Sequence, residues 1–400
     1  MKGKKRGKKV MLIVVSGIAG LVAVVFAALL LISGVFTQQR YLQPWKPGYS
    51  AKMADPRLQL TAHGLLAASG HNMQPWRIKL DPNNDMVFSL YADSSRVSPA
   101  VDPDARQFMV SQGTFLEYIR IAGAELGYDA AIKLFPEGEY EESRLAGSMD
   151  SKPVARITLT KISAAAGPLY PYLFQPDTNR GGYKPDPLTD SQVQELKGIN
   201  KDSDMTIEVF QDAGNMQKLA DYANQAAKVE AGVDRVMEET AQIFRANERE
   251  KNKYRYGFSV EGQGTSGLMR HVLQGAVTLL PSLNKGQAAS DQLIQSTEAS
   301  VDKTPAYALI VSGDNSRTSQ VRSGMLYSRL ILTAHRLGLA MQPLSQAIEE
   351  YPEMNGIYSD IHRSYAPGGG TIQMLVRLGT PLNEVPLSMR RDVQELIISN

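Results

Sequence analysis

The sequence predicts an α+β fold carried behind an N-terminal membrane-spanning helix, and three observations predict it. An uncharged, overwhelmingly apolar run from Val10 to Phe36 follows a cluster of basic residues. Behind it, short apolar runs with polar turns between them mix with long helical periods in no regular βαβ order, a pattern that favours antiparallel sheets with helices over a doubly wound parallel one. With 400 residues, 43% of them hydrophobic and only 21% charged, the chain can bury a sizeable core.

The N-terminal run comes first. Lys2, Lys4, Lys5, Arg6, Lys8 and Lys9 precede it. At about 1.5 Å per residue the run is long enough for a hydrocarbon core of roughly 30 Å, whereas a cleaved signal has about 7 to 15 apolar residues. No A-x-A pattern follows Ser33-Gly34, so the run is expected to be an uncleaved signal anchor in contact with the lipid bilayer through residues 10–36. The positive-inside rule puts residues 1–9 in the cytoplasm and the body on the outer face of the cell membrane. Residues 37–52, broken by Pro44, Pro47 and Gly48, read as a stalk.

The body, residues 53–400, follows in two halves of roughly 53–165 and 170–400. A helix is expected over 54–68, ending where Ser69-Gly70 permits a left-handed turn. Strands at 78–80 and 86–90 flank Asp81-Pro82-Asn83-Asn84-Asp85, a hairpin signal. A helix over 106–126 and strands at 131–134 and 154–162 complete the half, with 137–151 as a surface loop. Beyond a proline-rich connection, helices are expected at 190–197, 215–246 and 267–279, a strand at 205–210, and a mobile Gln/Ser/Ala-rich loop at 283–304. The apolar strand 306–311, the helix 323–337 with Leu326, Leu330, Ile331 and Ala334 on one stripe, and the strand 371–378 close the order. No internal repeat is visible in the sequence.

Composition excludes several chemistries. Cysteine is absent, which removes disulfides, thiolate metal sites and cysteine nucleophiles. Eight of the 43 Lys and Arg but none of the 41 Asp and Glu fall in the first 50 residues. The body is therefore slightly acidic and offers no phosphate-neutralising surface for nucleic acid. Five scattered histidines show no H-E-x-x-H pattern, Gly368-Gly369-Gly370 opens a strand and no helix, and no G-x-S-x-G elbow occurs.

One octet carries chemistry. Ser69-Gly70-His71-Asn72-Met73-Gln74-Pro75-Trp76 lies where a helix gives way to a strand. Ser69, Asn72, Gln74, Pro75 and Trp76 resemble the Ser-x-x-Asn-x-Gln-Pro-Trp loop of the nitroreductase superfamily. Asn and Gln are neutral groups with donors and acceptors suited to the edge of an isoalloxazine. Trp76 taken alone reads more readily as an anchor packed into the core.

Further segments resemble the same superfamily, and within it the Acg-like FMN-binding branch. Asp177-Thr178-Asn179-Arg180-Gly181-Gly182-Tyr183 is similar to that branch's R-x-T-N-R-x-x-F segment, with Asn179 and Arg180 matching and the first arginine replaced by Pro176 or Asp177. Gly338-Leu339 resembles the Gly-Leu turn that approaches the flavin, and is also an ordinary helix end. Leu378-Gly379-Thr380-Pro381 and Met389-Arg390-Arg391 resemble the closing strand and basic segment. Arg390 and Arg391 could serve the FMN phosphate or begin a solvated helix.

The resemblance implies a nitroreductase-like fold, with two such halves imitating a dimer within one chain. It also implies FMN held by Ser69, Asn72, Gln74, Trp76, Asn179, Arg180, Gly338, Leu339, Arg390 and Arg391. The flavin would carry the redox chemistry, with no side chain as nucleophile, and pass hydride or electrons to a small-molecule electron acceptor, quinone-like or nitroaromatic. Two alternatives stay open: FMN binding without turnover, as a sequestering or sensing module, and a cofactor-free envelope interaction domain.

Overall fold

The computed structural model describes residues 2–263, 265 and 267–398. The first half contains helices α1 (Lys2–Ser33), α2 (Pro56–Gly64), α3 (Arg106–Leu126) and α4 (Leu145–Ser151), with strands β1 (Trp76–Leu80), β2 (Val87–Ala92), β3 (Tyr128–Leu134) and β4 (Ala155–Lys161). The second half opens with α5 (Asp190–Gly198), β5 (Met205–Phe210), α6 (Ala213–Ala231), α7 (Asp234–Gln242), α8 (Glu248–Tyr254), α9 (Gly267–Leu279) and α10 (Gln287–Val301). It closes with β6 (Ala306–Ser312), α11 (Arg317–Arg336), β7 (Ala340–Pro343), α12 (Asn355–Tyr365) and β8 (Thr371–Gly379).

The fold is α+β, built on two four-stranded sheets with orders β1-β2-β4-β3 and β5-β6-β8-β7. Every neighbouring pair is antiparallel. The second order repeats the first, and in each half a long helix, α3 or α11, connects the second strand to the third. Polar/apolar pattern alone does not reveal this repeat, because alternation and helical period constrain residue class and leave identity and insertion length free.

α3 and α11 pack on each other through glycines. A Cβ on Gly113 would stand 1.8 Å from the Val321 carbonyl oxygen, and one on Gly324 would stand 1.9 Å from that of Val110. Both glycines sit seven residues into their helices. The contact joins the two cores: Val321 and Leu332 of α11 complete the core under the first sheet, and Val110 of α3 enters the core under the second.

Local signals account for the helix ends. Asp102 accepts from the Gln107 and Phe108 amides (3.1 and 2.8 Å), covering free donors at the start of α3. Gly127 ends that helix in the left-handed region at φ 81°. Ser316 caps α11 through the Ser319 amide.

Four expectations are corrected. Residues 283–304, read as a mobile loop, contain α10, whose Ser290, Thr297 and Ser300 are buried with their hydroxyls bonded to backbone carbonyls. Hydroxyls satisfied in this way let a Ser/Thr-rich segment pack against α6. The single helix expected at 215–246 breaks into α6 and α7 at Gly232, and 137–151 includes α4. Residues 37–52 are no free stalk, since Tyr41, Trp45 and Tyr49 are buried against the body. Trp45 donates its indole N–H to Ser388 O at 2.7 Å.

The C-terminal tail returns to the first half. Ile397 bridges Ile78 in parallel and the Ile398 amide donates to Ile78 O at 2.8 Å. The tail thus lies against β1, which begins at the last residue of the octet.

Candidate functional site

The octet forms a strained loop. His71, Asn72 and Gln74 all adopt positive φ, at 49°, 53° and 51°, a region non-glycine residues enter only when surrounding structure imposes it. One restraint is local, and the others lie far away in sequence. Ser69 Oγ accepts from the Gln74 amide at 3.0 Å. Asn72 Nδ2 donates to Gly257 O and Met389 O, both at 3.0 Å, while its Oδ1 accepts from Arg390 at 3.0 Å. Gln74 Nε2 donates to Arg255 O at 2.9 Å, and its Oε1 accepts from the Arg391 amide at 2.8 Å.

Beside this loop the two halves enclose a cavity of about 590 Å³, within the range of small-molecule and cofactor sites. Its wall takes residues from the octet, α3, the 176–182 segment, α10, the end of β7 and residues 385–389. Arg180 and Lys303 both line it, and both are exposed to it. Arg180 Nη1 donates to Gly262 O at 2.9 Å. Among the described residues neither cation has a carboxylate within ion-pairing distance. They flank the Gly181-Gly182 backbone, and a Cβ on Gly182 would sit 3.1 Å from Lys303 Cδ. Burial, aided by the Arg180 charge, pushes His71 down to about 4, so its imidazole is neutral at ordinary pH.

Several wall groups are poised but unpartnered: Gln107 Nε2, Thr240 Oγ1 and the Tyr327 hydroxyl have no hydrogen-bond partner among the described residues. Burial raises Tyr327 well above its ordinary value, so it stays a donor. Such orphaned polar atoms are rare in native interiors and point to an occupant that pairs with them.

The cavity gathers three of the ten residues expected to hold the cofactor: Ser69, Asn72 and Arg180. The other seven face elsewhere. Gln74 and Trp76 are fully buried, and the Trp76 indole donates to Ser111 O at 2.8 Å. Asn179 is buried, donates to Asn383 O and accepts from the Gly181 amide, shaping the turn that presents Arg180. Gly338 ends α11 at φ 74° and Leu339 lies in the core, delivering β7, whose Gln342 and Pro343 do line the cavity. Arg390 and Arg391 begin no solvated helix, being buried and bonded to backbone carbonyls. Burial draws Arg391 down to about 10. Asp177, which with Pro176 stands where the family pattern has its first arginine, lies 3.6 Å from Arg390.

Sequence reasoning missed Lys303, Gln107, Tyr327 and an acid pair. Only the Gly-Gly step after Arg180 hinted at a cradle, since a backbone without Cβ atoms lets a ligand approach closely. The acid pair is Glu230 and Glu349, both buried in the cavity wall, each with an unpartnered carboxyl oxygen. Burial raises Glu230 to about 7. Burial and then the Glu230 charge raise Glu349 well above the carboxylate range, because neighbouring acids in a low-dielectric wall resist double ionisation.

The sign of the pH dependence follows from the raised folded-state values. The contribution of Glu230 to stability is fully present below the ordinary glutamate value of 4.5 and is lost as pH rises through about 7. Glu230→Gln is expected to flatten that loss. Urea unfolding of both proteins at the two ends of the window checks it; equal slopes would refute the shared protonation.

Comparison with family models finds no match. Along 336 residues, 83% of this chain, the sequence is 24% identical to the Mycobacterium tuberculosis protein named "Putative NAD(P)H nitroreductase", in strains CDC 1551 / Oshkosh and H37Rv, covering 88% of that protein. The chain is nitroreductase-like. Among solved structures, the nitroreductase-like family protein from Bacillus cereus is 12% identical and covers 58% of this nitroreductase-like chain and 95% of its own, with a TM-score of 0.31. The FMN-dependent nitroreductase NfnB from Mycobacterium smegmatis, solved with NADPH, is 16% identical and covers 55% and 92%, also with a TM-score of 0.31.

Proposed function

We propose that this chain is a membrane-anchored, FMN-dependent oxidoreductase that reduces a small oxidised acceptor, quinone-like or nitroaromatic. The observation that carries the reading is the pair of cations without carboxylate partners, Arg180 and Lys303, flanking Gly181-Gly182 at one side of a cavity whose octet side is neutral and polar. A phosphate fits the first region, because guanidinium and ammonium donors without carboxylates give it charge-assisted hydrogen bonds. An uncharged heteroaromatic ring fits the second, beside Ser69, Gly70, Asn72 and Gln342. The nitroreductase name of the mycobacterial relative supports the same reading, and the Acg-like branch belongs to it through the 177–183 segment.

When bound, FMN would supply hydride or single-electron chemistry that no side chain here offers. The chain's own residues do the rest. Arg180 and Lys303 hold the phosphate, the strained octet presents Ser69 and Asn72 in a fixed geometry, and the enclosing halves limit water. The neutral His71 and the protonated Tyr327 place no charge against the ring.

Location is part of the proposal. α1 contains a stretch, Met11–Ser33, long and apolar enough to cross a membrane, and Met11, Leu12, Ile13 and Leu21 are among its exposed side chains. Basic residues precede it, which supports a cytoplasmic N-terminus and an outward-facing body.

The full chain purified in detergent should show the visible bands of oxidised flavin. Arg180→Ala should keep the fold and weaken FMN binding about ten- to hundredfold, the equivalent of about 1.5–3 kcal/mol for a lost charge-assisted bond. A folded protein that stays colourless with added FMN would sink the reading. Reduction by dithionite but not by NAD(P)H would favour flavin binding without turnover or a donor other than nicotinamide.

A further inference from the structure

Between Gly262 and Asn284, both of which line the cavity, the chain makes an excursion around α9, and the two faces of this helix are reversed. His271, Gln274 and Gly275 are buried, and Thr278 continues their row at helical spacing. Their side chains meet protein. His271 Nδ1 lies 3.0 Å from Ser33 Oγ, Gln274 donates to Glu248 Oε1 at 3.1 Å, and Asn247 donates to Thr278 Oγ1 at 3.3 Å. Met269 and Leu273 stand on the opposite face, Leu268 and Leu279 flank the Gly275 row, and Leu280 and Leu283 follow beyond the helix, each between 38% and 58% exposed. A surface helix in water turns its polar stripe outward and its leucines in. This one does the opposite, and its one charged side chain, Arg270, is drawn back to Glu261 at 3.6 Å.

The helix lies directly on α1. A Cβ on Gly275 would stand 2.3 Å from Leu29 O, so the two backbones touch. Leu29 is inside the apolar stretch that ends at Ser33. Four residues at 1.5 Å each put the contact roughly 6 Å below that end, within the ~5–10 Å depth at which interfacial helices bury their apolar face.

We infer that α9 and the Pro281–Asn284 turn lie in the interface of the bilayer that α1 crosses, with the leucines among the acyl chains. The bilayer is the occupant because the helix that bears the exposed leucines packs backbone to backbone on α1 within its apolar stretch. The inference rests on the anchored reading above and sharpens its substrate: a cavity rimmed by Asn284 at headgroup depth receives an acceptor dissolved in lipid.

The absence of cysteine makes single-cysteine labelling clean. Full-length Leu280→Cys, Asn284→Cys, Val24→Cys in α1 and the exposed Glu137→Cys would each carry an environment-sensitive dye in phosphatidylcholine vesicles containing doxyl-labelled lipid. Leu280 is expected to be quenched several-fold more than Glu137 by the acyl-chain label, and Asn284 by a headgroup-level label. A Leu280 dye quenched by aqueous iodide and untouched by doxyl lipid, with Val24 lipid-quenched, overturns the inference and leaves the anchor. Loss of lipid quenching at Val24 as well overturns both. Quenching at Leu280 that vanishes on dilution of the chain within the membrane assigns the face to a second copy and overturns the inference. Flavin absorbance of the same samples is read separately; its absence would remove the redox reading and leave the lipid contact standing.

Discussion

Gly324→Ala is expected to force α3 and α11 apart and destabilise the body by about 3 kcal/mol or more, at or beyond the upper end of overpacking effects. The added methyl would stand 1.9 Å from Val110 O, 2.8 Å from Val110 C and 3.0 Å from Gly113 Cα. All three are backbone atoms, so no rotamer change relieves the clash. Gly113→Ala meets Val321 O and the Met325 amide nitrogen in the same way and should cost about as much. Once either methyl has separated the helices the other has room, so the double variant should lose less than the sum. Gly356→Ala, on α12 with open space around its Cβ position, is the control, expected to be neutral or slightly stabilising. Urea unfolding of the four variants beside the wild type measures the effect, and a wild-type midpoint for Gly324→Ala would refute the close crossing. Because α3 and α11 both wall the cavity through Val110, Ser111, Thr114 and Tyr327, flavin binding should fall with stability.

Arg390→Leu is expected to cost roughly 3–5 kcal/mol, the range for removing one partner of a buried ion pair. Its fully buried guanidinium donates to the carbonyls of Leu66, Ala67 and Met389, to Asn72 Oδ1 and to Ser388 Oγ. It also stacks 4.5 Å from the Trp45 ring centroid. Without it the Leu66 and Ala67 carbonyls lose this donor in the interior, and Asp177 keeps a charge without its partner, while Met389 O retains Asn72 Nδ2. Lysine should rescue only part of the loss, since an ammonium cannot reproduce the planar fork. The comparison also separates two roles. A phosphate ligand would give a stable variant with weak FMN affinity; a keystone under the octet gives an unstable one, with stability and affinity lost together.

The contrast between Arg180 and Arg390 shows how far the sequence reaches into the site. Both stood in segments resembling basic motifs of one superfamily. Only Arg180 faces the cavity, because the carbonyls of Leu66, Ala67 and Met389 and the Asn72 amide hold the Arg390 guanidinium in the core. Gln74 follows the same logic. Its amide suits a flavin edge in isolation, yet the tail at Met389–Arg391 and the turn at Arg255 consume its donors and acceptor. Spacing within an octet cannot report which distant carbonyl will arrive beside it.

What the sequence determined by itself was everything set by local period and local chemistry. The apolar run that became α1, the hairpin of β1 and β2, the 106–126 helix and the strands expected at 306–311 and 371–378 all follow from 3.6- or 2-residue patterns and from turn residues acting over a few positions. Tertiary structure alone decided the repeat of the two halves, the glycine crossing, the cavity, the pairing of Glu230 with Glu349 and the exposure of Lys303. Each of these depends on contacts between residues tens to hundreds of positions apart. Burial, charge pairing and backbone approach are properties of such contacts, and a linear pattern carries no record of them.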